Sequence, residues 1–199
     1  MKTSPERKLD AYVKQMIEGS LQGAHSYDHT KRVFAIATAL ASGTAANLRI
    51  VHAAALLHDI GRVREQETGI SHSILSGEMS REILQKTGYT ESEIGEIVQA
   101  IRTHRFSENL TPSSLEGKIL SDADKLDAIG AIGIFRGIAQ SLADNKDVKG
   151  FLEHADEKLL RLHDMMYTDK AKAMARHRHA FLADFVRRLR EEASYTADP

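Results

Sequence analysis

The sequence of 199 residues contains no cysteine and no tryptophan, and it has only 3 prolines. The lack of cysteine excludes a disulfide framework and a thiolate zinc site, so any metal must be bound by histidine and carboxylate side chains. A formal net charge of -1 gives no basic surface of the kind that attracts nucleic acids or anionic membranes. No apolar run approaches the roughly 20 residues of a membrane span, and the N-terminus lacks the apolar core of a signal peptide. We therefore expect a cytoplasmic protein without a membrane or nucleic-acid partner.

Apolar residues recur at helical spacing along nearly the whole chain, and no segment shows the alternation of a strand. Hydrophobic residues make up 42% and charged residues 28%, which is ordinary for one globular domain of this length. Pro5 begins a first helix, Asn47 caps the helix that leads to His58, and residues 90–93 form a capping box. The sequence therefore predicts an all-α, single-domain helical bundle.

Three further expectations concern individual segments. The segment 128–135 is apolar on all sides, which predicts a buried central helix. A loop is expected between Gly61 and Gly69, because both glycines interrupt the helical pattern. The last third is predicted to hold two helices, at about 151–166 and 168–192.

Histidine and aspartate are concentrated in three motifs, which read HSYDH at 25–29, LLHDIGR at 56–62 and DADKLD at 122–127. Neighbours on a regular helix diverge by about 100°, but the end of a helix allows both His58 and Asp59 to face one ion. With His29 and one aspartate of the third motif they make a set of two imidazoles and two carboxylates. Such a set suits Mn²⁺, Fe²⁺, Co²⁺, Ni²⁺ or Zn²⁺. The alternative is that these are unrelated polar residues that bind the backbone and one another.

The longer motifs resemble the HD-domain superfamily of metal-dependent phosphohydrolases, and in particular its small bacterial branch of nucleotide-cleaving enzymes. The likeness rests on HSYDHTKRV, LLHDIGR and DADKLDAIGAIG in that order. It implies one HD domain over residues 1–199, with a metal-binding core at about 25–130 and C-terminal helices at about 151–195. It also implies that Asp124 completes the metal set with His29, His58 and Asp59.

A metal with open coordination positions lowers the pKa of a bound water and polarises a phosphoryl oxygen, which is the chemistry of phosphate hydrolysis. By its resemblance to this superfamily, the chain has Arg62 where related phosphodiesterases carry a lysine, so Arg62 is the expected phosphate contact. Lys125 is a second candidate. Alternatively, Arg62 forms a surface ion pair with Glu65 or Glu67. The basic pair Arg178 and His179 matches a pair that faces the pocket in the family, although residues 176–179 also fit a solvated helix face.

His72 and His104 follow in the order that binuclear members use for a second metal, so a second ion is allowed. The sequence has His104-Arg-Phe in place of the His-His-Glu of those enzymes, which equally allows both histidines to act as a general acid or to bind phosphate. The structural alternatives are a helix-entry role for His72 and a helix C-terminal role for His104.

The sequence thus predicts a metal-dependent phosphohydrolase that cleaves a phosphoester or phosphoanhydride bond of a nucleotide through metal-activated water. Release of pyrophosphate from a nucleoside triphosphate is the leading form of this hypothesis. The alternatives are a cyclic-nucleotide or other phosphodiesterase, a di-iron oxygenase, and a non-catalytic nucleotide-sensing helical module with a structural metal.

Overall fold

A computed structural model describes residues 5–18 and 26–194, apart from the side chain of residue 18. His25 of the first motif lies outside the described residues. The described residues form α-helices and two 3-10 helices and contain no strand, which confirms the all-α prediction. The α-helices are α1 Pro5–Glu18, α2 Tyr27–Ala41, α3 Leu48–Leu57, α4 Arg62–Thr68, α5 His72–Thr87, α6 Glu91–Arg102, α7 Leu115–Asp127, α8 Gly130–Ala143, α9 Val148–Glu157 and α10 Asp169–Ser194. The 3-10 helices are Phe106–Glu108 and Leu159–Met165.

Local capping decides where several helices begin. The Asn47 side chain accepts a hydrogen bond from the backbone N–H of Arg49 at 3.0 Å and so caps α3. Thr90 and Glu93 form a reciprocal capping box at the start of α6. Both caps are short-range contacts, which is why the sequence predicted them correctly.

The chain divides into two compact units, residues 1–124 and 125–199. In the first unit α3 is the central helix, and residues 53–57 along it are completely or almost completely buried. It packs against α1, α2 and α6, while α5 lies along α6. Because the C-terminal half of α3 is buried on all sides, the His-Asp pair that follows it emerges inside the unit rather than at its surface.

The second unit contains the last three residues of α7 together with α8, α9, α10 and the 3-10 helix Leu159–Met165. Phe151 of α9 meets Phe185 of α10 edge to face, with ring centroids 6.2 Å apart. Gly137 of α8 lies directly under the Phe151 ring, where a Cβ would come within 2.9 Å of Cε2. This contact brings α8 and α9 close together.

Two segment predictions were wrong. Residues 62–68 form α4 rather than a loop, and Gly69 ends it with a left-handed φ of 71°. This short helix has no buried residue, so the sequence carries no apolar periodicity to indicate it. The helix expected at 151–166 is α9 followed by a 3-10 helix, because Lys158 leaves the helical region with φ -131° and ψ -63°.

The helix α8 is not buried on all sides, in contrast to the sequence prediction. One face, with Gly133, Ile134 and Gly137, is buried within the second unit, whereas Phe135 is 73% exposed on the other. The apolar pattern of residues 128–135 correctly predicted a helix, but the chain buries only one of its faces. Among the described residues, no single helix is long and apolar enough to cross a membrane, although α7 and α8 taken together meet that length and composition.

Candidate metal centre

The His-Asp pair lies in the turn between α3 and α4. His58 is the C-cap of α3 and still has helical backbone angles, φ -59° and ψ -31°. Its Nδ1–H donates to the carbonyl oxygen of Ala55 at 2.8 Å, so its Nε2 carries the lone pair of the neutral ring. The chain then turns through Asp59, Ile60 and Gly61 before α4 begins. The end of the helix thus directs both side chains into one buried region, as expected.

Gly61 allows α5 to approach this turn. A Cβ at Gly61 would lie 2.6 Å from the backbone nitrogen of Ser76 and 2.7 Å from Leu75 Cβ. The Gly61 N–H donates to Ser76 Oγ at 2.9 Å, which fixes the turn against α5. The same approach brings His72, at the start of α5, next to Asp59.

Three of the predicted ligands form a compact buried group, His29, His58 and Asp59. The Nε2 atoms of His29 and His58 are 3.2 Å apart. Asp59 Oδ2 lies 3.6 Å from His29 Nε2 and 3.7 Å from His58 Nε2. All three side chains are at most 2% exposed. Residues from α2 and from the turn after α3 therefore converge with their donor atoms facing one another.

Asp124, near the end of α7, lies beside this group. Its Oδ1 is 3.4 Å from His29 Nε2, and its side chain is 26% exposed. Burial raises the pKa of this carboxyl, but His29, His58 and His104 outweigh that effect and hold the pKa below its ordinary value. Asp124 is thus an anionic donor on the more open side of the group.

The spacing of these donors fits a divalent cation. Metal–ligand bonds of about 2.1 Å place neighbouring donors about 3.0 Å apart on an octahedral ion and about 3.4 Å apart on a tetrahedral one. The separations of 3.2 to 3.7 Å between donor atoms are within a few tenths of an ångström of these values. Two carboxylates among imidazoles also supply the negative charge that a buried cation requires.

A second donor group shares Asp59. The Oδ1 atom of Asp59 lies 3.3 Å from His72 Nε2 and 3.9 Å from His104 Nε2, and these three residues also meet the spacing for a metal. His104 Nδ1–H donates to the carbonyl oxygen of Ile101 at 2.6 Å. His72 Nδ1 lies 2.8 Å from Glu65 Oε2, which as a carboxylate accepts its proton. Both rings therefore present the Nε2 lone pair to Asp59.

The Nε2 atom of His72 is buried and, within the described part of the chain, makes no hydrogen bond. His72 Nε2 and Asp59 Oδ1 both present lone pairs, and two lone pairs cannot form a hydrogen bond. The two atoms are therefore close without being hydrogen-bonded. Burial lowers the pKa of His72 to about 4 and also lowers the pKa of His104, so neither ring readily takes up a second proton. These observations favour ligands over general acids for both histidines.

A network around His72 was missed by the sequence analysis. Glu65 accepts from His72 through Oε2 and from Arg105 through Oε1 at 2.5 Å. Arg105 also donates to Ser71 Oγ at 2.8 Å, and Ser71 donates to Glu108. Burial raises the pKa of Glu65, but the His72 hydrogen bond and the Arg105 charge outweigh it and lower the pKa. The sequence contained only a weak indication of this network. It indicated Glu65 only as a partner of Arg62, and Arg105 only as a neighbour of His104.

Arg62 contacts the site directly. Its Nε donates to Asp59 Oδ2 at 2.9 Å, while its Nη1 is 3.8 Å from Glu65 Oε2. The side chain is 21% exposed, so it is only partly buried. Arg62 is thus tied to the acidic group of the centre, and the surface ion pair considered from the sequence is the weaker of its two contacts.

Comparison with known proteins identifies the fold family. A family model described as the HD domain matches residues 26–129. The chain belongs to the HD-domain family. HD domains bind divalent metals, and this HD protein is a metal-dependent phosphohydrolase. The match spans all six histidine and aspartate donors described above.

Relatives cover nearly the whole HD protein. The uncharacterized protein YpgQ of Bacillus subtilis is 33% identical over 193 residues, which are 93% of this chain and 92% of YpgQ. A crystal structure of YpgQ in complex with ADP is 31% identical and has a TM-score of 0.77 over 94% of each chain. An HD-superfamily hydrolase from Bacillus thuringiensis is 31% identical and has a TM-score of 0.76, covering 95% of this chain and 96% of that chain.

The remaining predicted substrate residues of the HD protein belong to its second unit. The ammonium of Lys125, a residue that is only 5% exposed, lies 4.7 Å from the centroid of the Tyr167 ring. Arg178 donates to the carbonyl oxygen of Leu126 at 2.5 Å. His179 stacks on His163 with ring centroids 3.5 Å apart. Arg178 and His179 are partly buried, so the fully solvated face considered from the sequence does not include them.

Proposed function

We propose that this phosphohydrolase acts on a nucleotide and cleaves a nucleoside triphosphate with water into the monophosphate and pyrophosphate. The observation that carries the proposal is the buried convergence of His29, His58 and Asp59, with Asp124 beside them on the accessible side. Nucleotide binding is supported by the ADP complex of YpgQ, which is alike over nearly its whole length. The choice of a triphosphate is an inference from the resemblance noted in the sequence.

In this proposal His29, His58, Asp59 and Asp124 hold one divalent cation. The cation would lower the pKa of a bound water and draw charge from a phosphoryl oxygen. Asp59 has two tasks, because Oδ2 faces the first pair of histidines and Oδ1 faces His72. The fold holds the Asp59 carboxylate and the imidazoles in place before the substrate binds. These side chains therefore need not rearrange during the reaction.

Arg62 is the proposed phosphate contact. It is anchored to Asp59 through Nε, so its Nη groups can meet an anion that approaches the centre. A guanidinium in this position stabilises the charge that builds on the phosphoryl oxygens. The other predicted substrate contacts are Lys125, Arg178 and His179. For each of them, replacement by alanine should raise KM with little change in kcat.

The decisive experiment is turnover of a nucleotide panel by Mn²⁺-loaded protein and by Asp59→Ala, with products separated by chromatography and identified by ³¹P NMR. We expect pyrophosphate from triphosphates with the native chain, and a loss of at least about 1,000-fold in the variant. Equal turnover by the variant would remove the metal assignment. Orthophosphate without pyrophosphate would instead refute the proposed bond, and binding without any phosphate release would favour the nucleotide-sensing alternative.

A two-metal phosphodiesterase is the second candidate, and the group formed by Asp59, His72 and His104 is the observation that favours it. Their donor atoms have the spacing for a metal, and Asp59 would bridge two ions. Elemental analysis decides between the two candidates. One metal per chain supports the first proposal, whereas two metals together with cleavage of a cyclic nucleotide would support the second.

A further inference from the structure

The solvent-facing side of α8 is largely apolar, and its exposed polar residue, Gln140, lies at the edge of that side and donates to Asp144 Oδ1 at 2.9 Å. Phe135 is 73% exposed, Leu142 is 66% exposed and Ile132 is 42% exposed. On a helix of 3.6 residues per turn these side chains share one face with four neighbours. The whole set, called the α8 stripe below, is Ala131, Ile132, Phe135, Ile138, Ala139, Leu142 and Ala143.

The opposite face of α8 is already packed within the second unit through its glycines and Ile134. A helix with apolar residues on both its packed side and its outer side normally lies in a protein interior. The one charged residue of α8, Arg136, does not interrupt the stripe, because it pairs with Asp127 at 2.7 Å and is only 12% exposed. Nothing in the stripe therefore compensates for its contact with water, which marks an interaction surface.

We propose that the α8 stripe binds the α8 stripe of a second copy of this chain, with the two helices antiparallel. In such a symmetric interface each contact occurs twice, so the stripe must complement itself. Phe135 falls opposite Ala139 of the second copy, and Ile132 falls opposite Leu142. Both pairs share one midpoint, at the level of residue 137. The bulky Phe135 ring thus meets the smallest side chain of the other helix.

The exposed part of the stripe amounts to on the order of 400 Å², as large as the largest apolar patches on ordinary monomers. A standard interface buries about 800 Å² per partner, and its centre is more apolar than its rim. The stripe is therefore the size of an interface core. We expect a dimer with a dissociation constant in the micromolar range.

A second copy explains the stripe better than a lipid surface does. Helices that lie on membranes combine an apolar face with several lysines or arginines on the other face. The only such residue on α8 is Arg136, and its charge is neutralised by Asp127. The complementary spacing of large and small residues is also a property that only a protein partner can use.

Sedimentation velocity of the full chain from about 1 to 200 µM tests the proposal. We expect a dimer for the native chain, and monomers for Phe135→Glu and Leu142→Glu, whose dissociation constants should rise at least about 100-fold. Phe181→Glu is the matched control, because Phe181 is 56% exposed on α10 and outside the stripe. It should dimerise like the native chain, and far-ultraviolet circular dichroism should be equal for all four proteins. A native chain that stays monomeric, or stripe variants that still dimerise, would overturn the proposal.

The absence of cysteine allows a direct test of the antiparallel register. Phe135→Cys and Ala139→Cys are prepared separately, mixed and oxidised. We expect cross-linked heterodimers to form faster than homodimers of either variant, and Phe181→Cys to form few cross-links. Preferential homodimers of Phe135→Cys would contradict the antiparallel arrangement. Flotation of a monomeric native chain with phosphatidylcholine and phosphatidylglycerol vesicles would assign the stripe to membranes and overturn the proposal.

Discussion

His58, His72 and His104 are oriented in the same way, with Nδ1–H donating to an oxygen and Nε2 directed at the centre. For His58 and His104 the acceptors are the backbone carbonyls of Ala55 and Ile101. For His72 the acceptor is the side chain of Glu65. Such outer partners fix the tautomer and the orientation of a ligating histidine. Because only the His72 partner is a side chain, it is the one that substitution can remove.

The first prediction is that Glu65→Ala lowers metal affinity or kcat by about 10-fold to 100-fold, the usual effect of losing such a partner. Without the carboxylate, His72 can rotate or adopt the other tautomer, and Arg105 loses an ion pair. Isothermal titration with Mn²⁺ and initial rates measure the two effects.

Glu67→Ala is the matched control for Glu65→Ala, because Glu67 is exposed on the same helix. It should leave both quantities unchanged. Glu65→Gln keeps an acceptor for Nδ1–H and should retain more activity than Glu65→Ala. If all three variants match the native chain, the Glu65 contact has no part in the site.

The second prediction concerns pH and the metal-free protein. Burial lowers the pKa of His72 to about 4 in the folded chain, against about 6.5 when it is unfolded. Between these values the unfolded state binds more protons, so the stability contributed at neutral pH is lost as pH falls from about 6.5 toward 4. His72 alone should lower the free energy of unfolding by about 2 kcal/mol between pH 7 and pH 5.

Urea unfolding in the presence of a chelator, at several pH values, measures this loss of stability. Because His104 also has a lowered pKa, the native chain should lose more than His72 alone accounts for. His72→Gln cannot take up a proton, so its stability should fall less steeply with acid than that of the native chain. Equal slopes for the two proteins would show that His72 is not kept neutral by the fold.

At the scale of elements, the sequence predicted what local contacts determine. The starts of α1, α3 and α6 follow from Pro5, Asn47 and the capping box at residues 90–93. The sequence did not predict α4, a short helix without a buried residue, or the end of the α-helix at Lys158. It also placed α8 in the interior, because an apolar pattern does not tell whether the same chain or another molecule covers it.

The order of the ligand motifs was likewise visible in the sequence, while their surroundings were not. His58 and Asp59 stand out because they follow an apolar run, and a helix end is a local feature. The contact between Glu65 and His72 depends on α4 folding back along α5, and Arg105 reaches Glu65 across 40 positions. Such contacts arise only from tertiary packing, so no spacing rule reveals them.

The third prediction is that Gly61→Ala disrupts the centre through the backbone. The added Cβ would lie 2.6 Å from the Ser76 nitrogen, and a backbone atom cannot move aside as a flexible side chain can. We expect destabilisation by about 2 kcal/mol or more and a weaker metal site, because the turn that carries Asp59 must separate from α5. Thermal unfolding and Mn²⁺ titration measure the two effects.

Gly95→Ala is the comparison for Gly61→Ala, since Gly95 lies inside α6 and a Cβ there would meet no atom within 4 Å. It should stabilise the protein by about 0.5 to 1 kcal/mol, because alanine is the better helix former. A Gly61→Ala variant as stable as the native chain would show that α5 does not need this close approach.

Over the whole molecule, the centre joins segments that are distant in sequence. Its donors come from α2, the turn after α3, the start of α5, the loop after α6 and α7. An unfolded chain does not keep these groups together, so a cation that binds there binds only the folded protein. Metal binding must therefore contribute to global stability as well as to turnover.

The fourth prediction follows from this linkage. Free metal at about 100 times its dissociation constant adds about 2.7 kcal/mol to the free energy of unfolding, which for a chain of this size raises Tm by about 5 to 10 °C. A chelator should remove this increment from the native protein, as measured by differential scanning calorimetry. Asp59→Ala should melt at one temperature with and without Mn²⁺, because the residue shared by both donor groups is gone. A native chain indifferent to the chelator would mean that these donors hold no cation, whatever their spacing.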